Sequence, residues 1–309
     1  MKTLQKSLLF ALKKNNNRNA IWVNNKYYTY NKIKNLSEKY RKIYSQSNSN
    51  SVCILSEKNI DCYAAIMATM LDGRIYVPLN PRFPVEKNRQ IFNQSEAKIL
   101  FVENKFAHQI KHIIGTKYKK KKFIIITDKN KSLTNCKLKS SKLKFFKKAM
   151  PSSICYILFT SGTTGAPKGV PISNSNLTSY LNHIYKTYKI NRNDKFSHNF
   201  DLTFDLSIHD IFLCWMSGAC LYVTPKNQLL NPGYFIKKKR LTIWFSVPSL
   251  GLNIQKMKQL KKNSFPSIRQ TFFCGEALPH SLAEKWNDAA PNRKIDNHYG
   301  PTETTIAIL

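Results

Sequence analysis

Short apolar runs of four or five residues recur along the chain: SVCIL (51–55), KILFV (98–102), FIIIT (123–127), CYILF (155–159), CLYVT (220–224), IWFSV (243–247) and TFFC (271–274). Runs of this length with little internal alternation read as strands buried on both faces, as in a parallel sheet. Between several of them the spacing of apolar residues turns helical. Examples are CYAAIMATML (62–71), then Leu177, Tyr180, Leu181, Ile184 and Tyr188, then Ile208, Ile211, Phe212 and Trp215. Strands alternating with helices predict an α/β fold. The N-terminal KTLQKSLLFALKK reads as a short amphipathic helix, because its apolar stretch Leu8–Leu12 is too short for a signal-peptide core. No run of ~18 apolar residues occurs, so no membrane span is expected. The Lys-, Ser- and Asn-rich stretch 128–152 reads as an exposed connection. It divides the chain into a first subdomain, 1–150, and a second, 151–309.

With 309 residues, 42% of them hydrophobic, the chain can bury a sizeable core, which argues against disorder. The charge adds a second possibility, since 50 Lys+Arg against 17 Asp+Glu give +33, enough to attract a polyanion such as nucleic acid. No recognisable nucleic-acid-binding module accompanies that charge. The lysines are spread along a chain also rich in Asn, Ile, Tyr and Phe, so a compositional origin is favoured over nucleic-acid binding. Seven scattered cysteines form no CxxC pair and leave an odd count, which indicates neither a zinc site nor a disulfide framework and fits a reducing, cytoplasmic setting.

The chemistry begins directly after CYILF, at Thr160, Ser161, Gly162, Thr163, Thr164, Gly165, Ala166, Pro167, Lys168 and Gly169. Glycines let a backbone approach an anion, hydroxyls and amides donate hydrogen bonds, and Lys168 adds a compact positive charge. A Walker A loop is excluded, because Pro167 precedes the lysine and Gly169-Val170-Pro171 follows it, where no helix can start.

This run resembles the signature loop of the AMP-forming adenylating enzymes, which include acyl-CoA synthetases, luciferases and the adenylation domains of nonribosomal peptide synthetases. AIWVNNKYYTYNKIKNLSEKY (20–40) and the segment from Cys62 through GRIYVPLNPRFP (73–84) look like early blocks of that family, especially its amino-acid-activating branch. CGEALP (274–279) and NHYGPTETT (297–305) look like its adenine and magnesium blocks. The resemblance implies the large N-terminal domain of the adenylate-forming fold, with layered, mostly parallel sheets, and it implies ATP and Mg²⁺ as partners in the reaction. It casts Tyr299 as an aromatic face for adenine, with Gly300 beside it, and sets the backbone of Gly275, Glu276 and Ala277 at the adenine edge. Thr302 would reach the α-phosphate and Glu303 would supply a hard oxygen to magnesium. Lys168, Thr302 and Glu303 are then the catalytic candidates. Pro279 suits the first turn of a following helix.

The stretch FDLTFDLSIHDIF (200–212) bears on the substrate. Ser207 reads as a helix N-cap with Asp210 in the first turn and Asp205 just before the helix. A carboxylate there is costly to bury unless a cation meets it, and a substrate ammonium is such a cation. The resemblance assigns Asp205 that part; the alternatives are a helix cap or a pair with a lysine. By position in the motifs Leu206, His209, Phe245, Cys274, His298 and Ile306 would line the side-chain pocket. The implied reaction activates a carboxylic acid, an amino acid by preference, as an acyl-adenylate with release of pyrophosphate. Transfer to the thiol of a phosphopantetheinyl carrier protein or of CoA would follow. The alternatives are an acyl-CoA ligase fragment, or an inactive remnant that binds nucleotide or a partner.

Only six residues follow Glu303, and the resemblance implies more: an aspartate for the ribose, a hinge and a small C-terminal domain with a catalytic lysine. The expectation is therefore an incomplete large domain, completed by a separate C-terminal polypeptide or left truncated.

Overall fold

The computed structural model describes residues 3–115, 123–128, 148–161, 166–291 and 294–308. In chain order its elements are helix α1 (Leu4–Lys14), strands β1 (Asn19–Val23) and β2 (Lys26–Thr29), α2 (Tyr30–Tyr44), β3 (Ser51–Leu55), α3 (Ile60–Leu71), β4 (Ile75–Leu79), α4 (Val85–Gln94), β5 (Ile99–Val102), α5 (Ile110–Ile114) and β6 (Ile124–Thr127). Then follow β7 (Ile154–Ser161), β8 (Pro167–Ser173), α6 (Asn174–Thr187), β9 (Lys195–His198), α7 (Leu206–Ser217), β10 (Cys220–Val223), α8 (Pro232–Lys239), β11 (Ile243–Ser246), α9 (Pro248–Lys256), β12 (Gln270–Cys274), α10 (His280–Ala289) and β13 (Lys294–His298).

The contacts group these elements into two units, Met1–Asn17 with Tyr30–Ser179, and Arg18–Thr29 with Tyr180–Leu309. The first holds a six-stranded sheet in the order β6-β5-β3-β4-β7-β8, the second a seven-stranded sheet in the order β13-β12-β11-β9-β10-β1-β2. This grouping differs from the division at 150/151, for two reasons in the strand pairing. β7 extends the first sheet by pairing with β4, and the early hairpin β1–β2 joins the second sheet through β10. Most of the stretch 128–152 lies outside the described residues.

The seven apolar runs become β3, β5, β6, β7, β10, β11 and β12. Six of them pair only in parallel and every residue of those strands is buried, as uninterrupted apolar runs require. β7 departs from this, being parallel to β4 but antiparallel to β8 on its other edge. In the first unit α3 is apolar all round and buried from Cys62 to Leu71. Behind it Asp72 accepts from Arg41 Nε and from Arg74 Nε, both at 3.1 Å, and Arg74 also donates to the carbonyls of Ser49, Tyr44 and Ser47. That buried set locks the end of α2 to the start of β4. The amphipathic N-terminal helix forms as expected, with Leu4, Leu8, Ala11 and Leu12 inward and the Thr3 side chain capping its start.

In the second unit the faces of β11 and β12 divide the labour. Trp244 and Phe273 point to an apolar cluster with Trp286 of α10, whose indole donates to Thr271 Oγ1 at 2.8 Å. Phe245, Phe272 and Cys274 alternate onto the other face, where α7 packs. Arg269 fixes one end of the sheet with two hydrogen bonds to Asp194, at 2.7 and 2.5 Å, and a third to the Tyr188 carbonyl.

Three local expectations are corrected. Helix α7 begins two residues earlier than expected, so Asp205 is its N-cap residue and Ser207 lies inside, its hydroxyl donating to the Leu202 carbonyl. Asp210 stands past the first turn and is buried against His198, whose Nδ1 is 3.1 Å away. Pro279 precedes α10 as its N-cap residue, with extended backbone, where its missing N–H costs nothing.

Candidate functional site

In the first unit β7 and β8 form an antiparallel hairpin in which Thr160 pairs with Lys168 and Ser161 with Pro167. Lys168 thus lies within a strand, in keeping with the exclusion of a helix after it. Gly162, Thr163, Thr164 and Gly165 lie outside the described residues. Thr160 is half-buried and Lys168 exposed. Gly169 is required beneath the ring of Phe159: a Cβ there would come within 3.0 Å of that ring.

The second unit gathers most of the other candidates at the C-terminal ends of parallel strands. Asp205 opens α7 and is 9% exposed, with no side-chain bond to the helix's first amides of the capping kind. Burial pushes its carboxyl up to about 6, against the pull of a hydrogen bond from Thr302 and of nearby backbone amides. No basic side chain forms an ion pair with it among the described residues, so the lysine-pair alternative is not seen; it holds the N-cap position, without a side-chain capping bond. Thr302, expected on a phosphate, lies near enough to that carboxyl to pull it down.

One helical turn beyond Asp205, His209 is fully buried and bonded through Nδ1 to the Tyr180 hydroxyl at 2.8 Å. Around it stand Phe245, Phe272 and His298, one from each of three adjacent strands, with ring centroids 4.7, 5.4 and 6.5 Å from the His209 ring. Burial holds both imidazoles neutral, taking His298 down to about 4 and His209 well below its usual range. Leu206, Cys274 and Ile306 are buried as well. Sequence reasoning gave neither Tyr180 nor Phe272 a place in the site. Phe272 was within reach, since residues two apart on a strand share a face and Cys274 was already a candidate. Tyr180 was not, because its hydroxyl meets His209 across 29 residues of chain.

The remaining candidates occupy loops. Gly275, at φ 92, lies in the left-handed region that favours glycine, and Glu276 and Ala277 are exposed beside it. The Glu276 carboxylate accepts from Ser249 N at 2.8 Å and Ser249 Oγ at 2.9 Å, so its side chain serves the N-terminus of α9. Tyr299 is 78% exposed, its carbonyl accepting from Ile308 N at 2.7 Å. That return strand makes Gly300 obligatory, because a Cβ there would lie 2.6 Å from the backbone of Ala307. Thr302 and Glu303 sit on the intervening turn of 3-10 helix, Glu303 exposed. Thr305 (φ 69) and Ile306 (φ 75) follow in the left-handed region, an unusual conformation for β-branched residues and a store of local strain.

The AMP-binding enzyme family matches residues 10–309. The chain belongs to this family. Among its relatives are an L-proline--[L-prolyl-carrier protein] ligase of Pseudomonas fluorescens, 26% identical over 82% of this chain and 51% of its own length, and a D-alanine--D-alanyl carrier protein ligase of Bacillus velezensis, 27% identical over 91% and 55%. The chain thus spans about half the length of the curated relatives it matches. The Vibrio cholerae adenylation domain AlmE, solved in complex with glycyl-adenosine-5'-phosphate, superposes with a TM-score of 0.88 at 32% identity, covering 99% of this chain and 60% of its own. IdnL7 superposes with a TM-score of 0.89 at 26% identity, covering 99% of this chain and 62% of its own. The fold of this chain is that of the large N-terminal domain of adenylate-forming enzymes. Among the described residues no helix is long and apolar enough to cross a membrane.

Proposed function

We propose that this chain carries the adenylating site of a ligase that activates an α-amino acid with ATP. The amino acid's carboxylate attacks the α-phosphorus, an oxygen–phosphorus bond forms, the bond to the departing pyrophosphate breaks, and an aminoacyl-adenylate results. Its acyl group then passes to a thiol, that of a carrier protein's phosphopantetheine arm or of CoA. The observation that carries this reading is Asp205: a carboxylate buried at the head of an apolar helix, pushed up to about 6 for want of a cation. A substrate ammonium would remove that penalty and gain a charge-assisted hydrogen bond.

The other residues take parts that suit their surroundings. Within the first unit Lys168, exposed on β8, offers a point charge suited to a polyphosphate. Tyr299 offers an uncovered ring face to adenine, and the backbone of Gly275, Glu276 and Ala277 offers polar groups to its edge. Among the described residues no three acidic, His or Cys side chains could hold a metal together. A lone exposed Glu303 fits a Mg²⁺ that keeps its waters and takes its other oxygens from phosphates, not a resident metal in a protein cage. Such an ion would neutralise charge on the phosphates. Thr302 would hold Asp205 while the ammonium site is vacant and donate to the α-phosphate once it is filled.

The test is amino-acid-dependent ATP–pyrophosphate exchange, measured on this chain alone and together with any polypeptide encoded immediately downstream. Exchange is expected with amino acids and not with fatty acids, and Asp205→Ala should lower kcat/KM for the amino acid by about 100-fold or more, the scale of breaking a buried ion pair. Exchange driven by fatty acids and indifferent to Asp205→Ala would place the protein among acyl ligases instead.

A further inference from the structure

The six centroid distances among His209, Phe245, Phe272 and His298 all fall between 4.7 and 6.5 Å. Rings at such spacing are in contact, so the four close on one another and leave no channel between them. None of the four exceeds 4% exposure. The cluster stands one helical turn from Asp205, about 6 Å along the axis of α7, on the same side of the helix. An ammonium seated on Asp205 would therefore lie within about one helical turn of the imidazole of His209. Phe200 packs on the outer side of Phe245 at 5.0 Å, and Tyr188 against Phe272 at 4.8 Å, so neither phenylalanine has an empty side to turn into.

Polarity leads to the same answer. His209 Nε2 and both ring nitrogens of His298 are buried without a hydrogen-bond partner from the protein. A branched or aromatic hydrocarbon laid on this floor would seal those nitrogens from any partner, which is the costly outcome for a buried polar group. A hydrogen, methyl or hydroxymethyl group leaves them reachable by a hydroxyl or a water. An acidic side chain would face imidazoles that burial keeps neutral.

We propose that the acid this site takes is a small α-amino acid, with a side chain no larger than that of serine, because the four-ring floor one turn from Asp205 closes the space a larger one would need. The inference rests on the reading of Asp205 as the ammonium partner. His209, Phe245, Phe272 and His298 are then the residues that set the size limit, with Tyr180 positioning His209.

The experiment is calorimetric binding of non-hydrolysable sulfamoyl-adenosine analogues to this chain, which needs no turnover. Glycyl, alanyl and seryl analogues are expected to bind at least tenfold more tightly than leucyl and phenylalanyl ones. Phe245→Ala and His298→Ala should each raise the ratio of leucyl to glycyl affinity at least tenfold. Either variant suffices if the other fails to fold, and the order measured on the unaltered chain decides without both. A leucyl or phenylalanyl analogue binding as tightly as glycyl overturns the size limit and leaves the amino-acid reading standing. Aminoacyl analogues that bind no better than AMP or an octanoyl analogue overturn the amino-acid reading, and the size limit with it.

Discussion

Asp205 sits out of water at the head of α7, and its raised carboxyl works against the unliganded fold. Its unfolded value is near 3.9 and its folded value about 6, so the protonated acid is the form the fold prefers. Its contribution to stability is fully present below pH ~4 and is lost as the pH rises through about 6, a difference of about 3 kcal/mol at most. Asp205→Asn should therefore stabilise the unliganded chain at pH 8 by about 1–2 kcal/mol and have little effect at pH 4. Denaturant midpoints of the two proteins at those pH values check this. Equal midpoints at both would mean that the carboxylate is already neutralised. The residue's place in FDLTFDLSIHDIF was legible, because an acid before an apolar helix is unusual. The partnership with Thr302, 97 residues away in sequence, was not, since nothing local connects the two.

Helices and strands here are stabilised by contacts of two kinds, and they were unequally visible. Runs such as SVCIL and TFFC announce buried parallel strands through composition alone. The hairpin β1–β2, β4, β8, β9 and β13 were missed: KYYT, KFSH and KIDNH mix polar and apolar residues, and β2 and β13 lie at the edges of their sheet. The Arg41–Asp72–Arg74 set was hidden for another reason, as charged residues scattered over 34 positions show no sign of meeting. Both arginines are at most 2% exposed, so Asp72→Ala would strand two buried cations. We expect a loss of about 3–5 kcal/mol, read as a lower denaturant midpoint with an unchanged slope. A loss below ~1 kcal/mol would show that backbone carbonyls alone satisfy Arg74.

Over the whole molecule the charge of +33 is the feature that no element explains. Positive charge spread over a folded chain repels itself, and salt screens that repulsion, the Debye length falling from roughly 20 Å at 20 mM to roughly 4 Å at 500 mM. The thermal midpoint should accordingly rise between those concentrations of NaCl by about 3 °C or more, as seen by differential scanning. A midpoint that falls with salt would mean that the surface lysines are engaged in attractive pairs.

Reading the chain alone was enough for the α/β class, for membership of a family whose motifs keep their order, and for most of the residues that gather at the ends of the second sheet. These follow from local chemistry: an apolar run must be buried, a glycine with a lysine and hydroxyls suits an anion, and an acid beside apolar residues needs a partner. The grouping of residues 18–29 with the second sheet, the approach of Thr302 to Asp205, and the closing of His209, Phe245, Phe272 and His298 into one floor came from packing. Each depends on distances between residues far apart in the chain, such as the 29 positions that separate Tyr180 from His209. Side-chain size and direction at such contacts are set by which strands become neighbours, and strand order is a property of the assembled sheet that no single stretch of sequence encodes.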